Sequence, residues 1–102
     1  MSKLIYIDID DTICYLKIAG NYESAYPIPG AVDKVNKLYN QGNHIVFWTA
    51  RGTVTGIDWR ELTIKQLNNW GVTYHELKMG KPAYDMFIDD KNVNSKHWLQ
   101  GE

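Results

Sequence analysis

Several features that mark whole classes of protein are missing or scarce in this sequence. One cysteine, Cys14, in 102 residues excludes an internal disulfide framework, and a lone thiol fits a reducing compartment such as the cytoplasm. No apolar run approaches the roughly 20 residues that cross a bilayer, so no membrane segment is expected. Cysteine and histidine do not occur together at the spacing of a zinc site. These absences predict a cytoplasmic protein built around a packed core.

A strong charge of either sign is also absent. The net charge is −1, from 11 basic and 12 acidic residues, so no broad basic surface is available for nucleic acid. Nucleic acid is therefore not expected as a partner. A chain of 102 residues is long enough for one compact domain and too short for two, which predicts a single domain over residues 1–102.

Short apolar runs predict buried strands at residues 4–7, 44–48 and 86–88, with a weaker fourth at 74–77. Their near-continuous apolar character is typical of a parallel sheet that is covered on both faces.

Apolar residues at helical spacing predict helices at 31–40 and 58–70, and a short third helix at 94–100. Residues 13–29 contain one glycine and two prolines and are expected to form a loop or flap. Strands that alternate with helices predict right-handed crossovers and an α/β fold. We expect a Rossmann-like three-layer sandwich with a short, mostly parallel sheet.

Three of the predicted strands are followed by residues whose side chains can take part in catalysis or metal binding. Asp8 follows the first strand, Thr49 the second, and Asp89 with Asp90 the run at 86–88. In open parallel sheets the ligand binds beyond the carboxyl ends of the strands, so these side chains are expected to converge. Lys81 precedes the last run, on a loop that can direct its ammonium group toward the same edge.

Four carboxylates at one edge, those of Asp8, Asp10, Asp89 and Asp90, would repel one another strongly unless cations are present. Lys81 supplies one positive charge. A hard divalent ion with oxygen ligands supplies more, and Mg²⁺ held by carboxylates, waters and a substrate phosphate fits this set. The sequence therefore predicts a magnesium site.

At this point the motifs resemble those of the haloacid dehalogenase-like phosphatases. Residues 5–12 (IYIDIDDT) resemble the first motif of that family, an apolar strand followed by Asp-x-Asp-x-Thr. Residues 46–49 (VFWT) are similar to the second, 80–82 (GKP) to the third and 87–90 (FIDD) to the fourth. All four occur in the family's order, and together they span nearly the whole chain.

A finer resemblance is to small bacterial and phage members described as capsule or polysaccharide biosynthesis phosphatases. Residues 49–52 (TARG) and 80–85 (GKPAYD) support it. It implies a fold without a cap domain, because neither loop that carries caps in this family is long enough here. An open site of that kind suits an exposed phosphate on a larger molecule, or a cap supplied by a neighbouring subunit. The substrate that we expect from the resemblance is a phosphorylated sugar or another small metabolite.

The resemblance also implies a role for each motif residue. Asp8 is expected to attack phosphorus and to carry an aspartyl-phosphate. Asp10 is expected to protonate the leaving oxygen and then to activate water. Thr49 and Lys81 are expected to bind the phosphoryl oxygens.

Magnesium is implied between the Asp8 carboxylate, the main-chain oxygen of Asp10 and Asp89, with Asp90 as a further ligand. Whether Asp89 or Asp90 binds the ion directly is left open. Asp11 stands where many members have glycine, and it is expected to shape the turn.

Arg51, two positions after Thr49, is within reach of a substrate anion, and an ordinary ion pair is the alternative. Cys14 is close to the first motif, but no neighbouring motif supplies a base, so we expect a buried structural thiol.

Other classes of protein remain as alternatives. A receiver-type signalling domain has similar residues, but its phosphoacceptor aspartate ends a middle strand, where this chain has Thr49. A catalytically silent binding module and a nucleic-acid end phosphatase are two more, and a phosphotransferase has the same motifs. A homo-oligomer is left open, since 13% of the residues are aromatic and could form a self-association surface.

Overall fold

The computed structural model describes residues 2–101. In chain order the elements are β1 (Leu4–Ile7), β2 (Cys14–Leu16), a 3₁₀ turn (Tyr22–Ser24), β3 (Ala25–Pro27), α1 (Ala31–Asn40), β4 (His44–Trp48), α2 (Arg60–Asn69), β5 (Glu76–Lys78) and α3 (Ser95–Gly101). The chain forms an α/β fold around one core cluster. None of the helices in this part of the chain is long and apolar enough to span a membrane.

The main sheet has three parallel strands in the order β1-β4-β5. Ile7 pairs with Phe47, and Phe47 pairs with Leu77, so the three strands end at a common edge. Both crossovers run in the same direction across the sheet. Because such crossovers are right-handed, α1 and α2 cover the same face.

The two faces of the sheet differ accordingly. One face contributes to the core cluster, together with residues of all three helices; its members are Ile5, Ile7, Ile45, Phe47 and Leu77. The opposite face carries Leu4, Tyr6, Val46, Trp48 and Lys78, and Leu4 and Tyr6 are exposed. Among the described residues the sheet is therefore covered by helices on one face, and the expectation of a three-layer sandwich is corrected to two layers.

The predicted helices form close to the expected positions. α1 has the predicted bounds, and Gly42 ends it with a φ of 93°, a conformation that costs glycine little. α2 begins at Arg60 instead of residue 58, because the Asp58 carboxylate accepts a hydrogen bond from the Arg60 N–H and stays outside the helix. α3 begins after Asn94, whose side chain accepts from the Lys96 N–H.

The segment at 13–29 is more regular than a loop. β2 and β3 pair as antiparallel strands within it, and the rings of Tyr15 and Tyr26 lie 6.0 Å apart across the pair. The two prolines do not prevent pairing, because Pro27 ends β3 and Pro29 lies beyond it.

The strand predicted at 86–88 is wrong. These residues have no strand conformation, and Met86, Phe87 and Ile88 are 74%, 50% and 88% exposed. Every residue from 82 to 94 is exposed. The physical reason is that this run has no strand edge beside it with which to pair. The fourth predicted strand does form, shifted to Glu76–Lys78.

Candidate functional site

An open cavity of about 250 Å³ lies at the carboxyl ends of the parallel strands. Its lining consists of Asp8, Ala50, Lys81, Pro82, Ala83 and Tyr84. Asp8 follows β1 directly, and its carboxylate lies 3.5 Å from Lys81 Nζ. The structure thus joins the predicted nucleophile and the predicted phosphate-binding cation in one concave site.

The position of Lys81 is fixed by its main chain. Its N–H donates to the main-chain oxygen of Thr49, and its own carbonyl accepts from the Thr53 hydroxyl. Its side chain is 13% exposed, and the Nζ atom lies 5.3 Å from the centre of the Tyr84 ring. Two hydrogen bonds and an aromatic contact therefore orient the ammonium group toward Asp8.

The electrostatics of Asp8 are set by burial. Loss of solvent raises the pKa of the Asp8 carboxyl above its ordinary value, and the nearby Asp10 adds to this. The Ile9 amide and Lys81 act in the opposite direction without cancelling the effect. Asp8 therefore lies in a partly desolvated site with a single cation beside it.

Asp10 is held by a fork of hydrogen bonds. Its two carboxylate oxygens accept from Arg51 Nη2 at 2.8 Å and Arg51 Nε at 3.0 Å. The Cys14 thiol donates to the same carboxylate at 3.4 Å. A bidentate pair of this kind fixes orientation as well as charge. The Asp10 side chain keeps 23% exposure, so water still reaches it.

Arg51 is enclosed on every side. Its Nη1 donates to Thr63 Oγ1 at 3.1 Å and to Gln66 Oε1 at 2.6 Å, and the guanidinium lies 4.9 Å from the centre of the Tyr22 ring. Its side chain has 0% exposure. The expectation that Arg51 binds a substrate anion is corrected, because a guanidinium so enclosed does not reach the cavity. It positions Asp10 instead.

The Cys14 thiol lies beside the Asp10 carboxylate and the Arg51 guanidinium. Burial and the neighbouring Asp10 raise its pKa to about 12, so the sulfur stays protonated at neutral pH. It also lies 3.7 Å from the main-chain oxygen of Ile9 as a donor. A neutral, buried thiol supports the expected structural role.

Thr49 lies outside the cavity lining and is 1% exposed. Its hydroxyl accepts from the Arg51 N–H at 3.1 Å, and its main chain bonds to Lys78 and Lys81. Thr49 therefore holds the loop after β4 together. Phosphoryl binding by its hydroxyl stays a prediction.

The turn after β1 depends on Asp11. This residue has a φ of 63°, in the left-handed region that aspartate enters more readily than most residues. Its N–H donates to the Cys14 carbonyl, and the Ile13 N–H donates to that of Ile9. The conformation confirms that Asp11 shapes the turn.

The structure does not bring Asp89 and Asp90 into this site. Both are exposed, and the Asp89 carboxylate accepts a hydrogen bond from the nearby Lys91 N–H at 3.4 Å. Within residues 2–101, no three histidine, cysteine, aspartate or glutamate side chains form a group that could hold a metal ion. The carboxylates of one chain therefore do not fit the expected Mg²⁺, and the magnesium requirement stays a prediction.

Sequence reasoning missed two residues, Thr63 and Gln66. Thr63 and Gln66 are buried, three positions apart on the inner side of α2. Polar residues at that spacing beside apolar ones signal a buried polar partner, since a buried polar group requires a hydrogen bond. The same Gln66 side chain donates to the Tyr22 carbonyl at 2.7 Å.

No family model matches this chain, and no curated protein matches it. Among solved structures, a crystal structure from Vibrio cholerae that is described only as an MCSG target matches it with a TM-score of 0.87. The two sequences are 23% identical, and the likeness covers 100% of this chain and 90% of the other. At this identity the likeness shows the fold alone, an α/β arrangement with a small parallel sheet.

Proposed function

We propose that this chain is a phosphohydrolase that cleaves a phosphate monoester through a covalent intermediate on Asp8. The proposal includes a Rossmann-like fold of the haloacid dehalogenase type without a cap. One observation carries it: the Asp8 carboxylate, at the end of β1, lines an open cavity 3.5 Å from Lys81 Nζ. A carboxylate so placed can act as a nucleophile, and the ammonium beside it can stabilise charge on phosphoryl oxygens.

The reaction has two transfers. An Asp8 oxygen bonds to phosphorus while the bond from phosphorus to the ester oxygen breaks, and that oxygen leaves with the electron pair and takes up a proton. Water then attacks the aspartyl-phosphate, which releases inorganic phosphate and restores the carboxylate. We assign the proton transfers to Asp10, two residues after Asp8, because part of its side chain is still in water. The fork from Arg51 fixes the orientation of its carboxylate, which lies outside the cavity lining.

The lining of the cavity supports a small substrate with one phosphate group. Lys81 is the one cationic residue in the lining, and it matches a single phosphoryl group better than a polyphosphate. Pro82, Ala83 and Tyr84 add an apolar wall beside it. A phosphorylated sugar or a similar metabolite fits this combination of one anion site and one aromatic surface.

The first test is the Asp8→Asn variant. Turnover of an aryl phosphate is expected to fall by roughly a thousand-fold or more while the circular dichroism spectrum stays unchanged. Asp33→Asn, which removes an exposed carboxylate from the first turn of α1, is the matched control and should keep full activity. A folded Asp8→Asn protein with near wild-type turnover contradicts the proposal.

A second variant, Asp10→Asn, separates the two transfers. With a good leaving group the attack by Asp8 needs little protonation, whereas hydrolysis of the intermediate still needs a base. Rapid quench of the reaction with a substrate that is labelled in its phosphate group, followed by intact-protein mass measurement, should show phosphoprotein in Asp10→Asn and none in Asp8→Asn. Label on another residue would show that the assignment of Asp8 is wrong.

A further inference from the structure

β1 is an edge strand. Among residues 2–101 the sheet order β1-β4-β5 leaves one side of β1 without a neighbouring strand, and the exposed Leu4 and Tyr6 lie on β1. An edge presents a row of main-chain N–H and C=O groups that can pair with an added strand. Extended peptides bind proteins in this way, with main-chain hydrogen bonds supplying much of the affinity.

The chain also contains an unpaired run suited to such an edge. Residues 82–94, the 82–94 segment, are exposed throughout, and their apolar side chains Met86, Phe87, Ile88 and Val93 are 50% to 88% exposed. Both ends of the segment are fixed at the site: Lys81 beside Asp8, and Ser95, whose hydroxyl donates to the Asp11 carbonyl. The three consecutive exposed apolar residues of this loop have the composition of a strand, and they are available to pair with a free strand edge.

One pairing register places the apolar residues of the run on the core face and also brings Asp89 to the edge that holds Asp8. If 86–88 pairs in parallel with β1 so that Asp89 lies beside Asp8, then Met86 and Ile88 lie beside Ile5 and Ile7. Ile5 and Ile7 face the core. Neighbouring residues of paired strands share a face, so the two most exposed residues of the run would join the core face. An antiparallel pairing would carry Asp89 to the opposite end of β1.

The same chain is poorly built to supply this strand to its own β1. The Lys81 N–H is bonded to the Thr49 carbonyl at the carboxyl edge, so only residues 82–85 remain to reach the amino end of β1 on its far side. The chain would have to travel about 14 Å, from the carboxyl end of β4 to the amino end of a strand placed outside β1. This distance corresponds to about three residues along a strand and two strand spacings across the sheet. A straight path between these points passes through β1. Parallel connections usually take a dozen or more residues to pass around a sheet.

We propose that the 82–94 segment of a second copy of this chain completes each site, by adding residues 86–88 to β1 and Asp89 beside Asp8. The exchange is reciprocal about a two-fold axis, as expected of a homodimer. It gives the carboxylate group that one chain lacks, and in that sense it rests on the proposed function. A loop of 13 residues fixed at both ends reaches at most roughly 20 Å, so the two sites of the dimer lie close together.

The decisive experiment mixes two inactive proteins. Asp8→Asn and the double variant Asp89→Asn/Asp90→Asn are each expected to be inactive. When they are refolded together, half of the dimers are mixed, and each mixed dimer has one intact site, so roughly a quarter of wild-type activity should return. Asp8→Asn mixed with Asp10→Asn is the matched control and should stay inactive, because both changes affect the same half of the site. No recovery in the first mixture, or full activity of the double variant alone, overturns the proposal.

A cross-link tests the exchange without any activity. Tyr6→Cys and Phe87→Cys are directly opposite in the proposed register, at a spacing that a disulfide accepts. A protein with both cysteines, Tyr6→Cys/Phe87→Cys, should give a covalent dimer on a non-reducing gel. Pairing within one chain would give a monomer and overturn the proposal. Tyr6→Cys with Val54→Cys, at a site 81% exposed and outside the segment, is the control and should not cross-link. A covalent dimer from a protein that lacks phosphatase activity would refute the proposed function and leave the exchange standing.

Discussion

The loop after β4 and the 82–94 segment both contain charged residues that the sequence predicts for the site, and they differ in how they are held. The loop after β4 turns sharply at Gly52, where a Cβ would collide with the main-chain oxygen of Ile57. It buries Arg51 among hydrogen-bond partners from two other parts of the chain, the turn after β1 and α2. The 82–94 segment has no such partners, and its longest apolar side chains lie in water.

This difference shows what fixes a charged residue in so small a protein. Arg51 is held because Asp10, Thr63 and Gln66 satisfy its donors within the core. Within the described residues Asp89 has only local hydrogen bonds, from the Lys91 N–H to its carboxylate and from the Asn92 side chain to its carbonyl, and these fix its own turn and nothing more distant. Arg51 is thus part of the packed fold of a single chain, whereas Asp89 has no surface of its own chain to pack against among the described residues.

The largest effect on stability is expected from Arg51→Met, which removes the buried cation from the loop after β4. Loss of the fork should lower the free energy of unfolding by about 3–5 kcal/mol, since Asp10, Thr63 and Gln66 all lose their common donor. Urea titration followed by tryptophan fluorescence measures the change. Arg60→Met is the control; Arg60 donates to the Leu77 carbonyl from an exposed position, and its loss should cost less than about 1 kcal/mol. Equal losses would mean that burial does not distinguish the two arginines.

A smaller effect compares the packed strand β4, which leads into the loop, with the 82–94 segment, through Ile45→Ala and Ile88→Ala. Ile45 is 0% exposed, and its truncation should cost about 2–4 kcal/mol at any protein concentration. Ile88 is 88% exposed, and in dilute protein its truncation should change stability by less than about 0.5 kcal/mol. At concentrations where two copies associate, Ile88→Ala should begin to destabilise. Melting curves over a hundred-fold concentration range make the comparison, and a cost for Ile88 in dilute protein would show that the segment already packs within one chain.

The smallest effect concerns Asp8 itself. Burial holds the pKa of Asp8 above the ordinary 3.8, so the folded protein is less favourable to the charged form than the unfolded chain is. Asp8 therefore favours the folded state at a pH below 3.8, and that contribution is lost as the pH rises through the raised value. Asp8→Asn should be the more stable protein at neutral pH, by less than about 1 kcal/mol because water still reaches the side chain, and the difference should disappear in acid. Thermal melts of both proteins from pH 3 to pH 8 test this, and Asp33→Asn, at a helix N-terminus, should show no such gain.

Much of the fold outside the 82–94 segment could be predicted from the sequence, because the sequence signals for these helices and strands are local. The apolar runs of β1 and β4, the periodicity of α1 and the glycine at its end each specify a conformation within a few residues. The convergence of Asp8 and Lys81 follows from the parallel order of the strands. These predictions needed no knowledge of a partner.

The errors arise where a residue depends on distant contacts. The run at 86–88 has the composition of a strand, but a strand also needs an edge beside it, which composition does not report. Arg51 looked like an anion-binding residue because its partners Thr63 and Gln66 are more than ten positions away, on α2. The roles of Asp8 and Asp10, and the need for magnesium, remain predictions.

The fork between Arg51 and Asp10 has a consequence for how this sequence can vary. Lysine keeps the charge but offers no planar pair of donors, so even that conservative exchange would release Asp10, Thr63 and Gln66 together. A change at Asp10 would in turn leave a buried cation without its counter-ion. Replacing either residue first would be destabilising, so natural selection is expected to keep or change the pair as one unit.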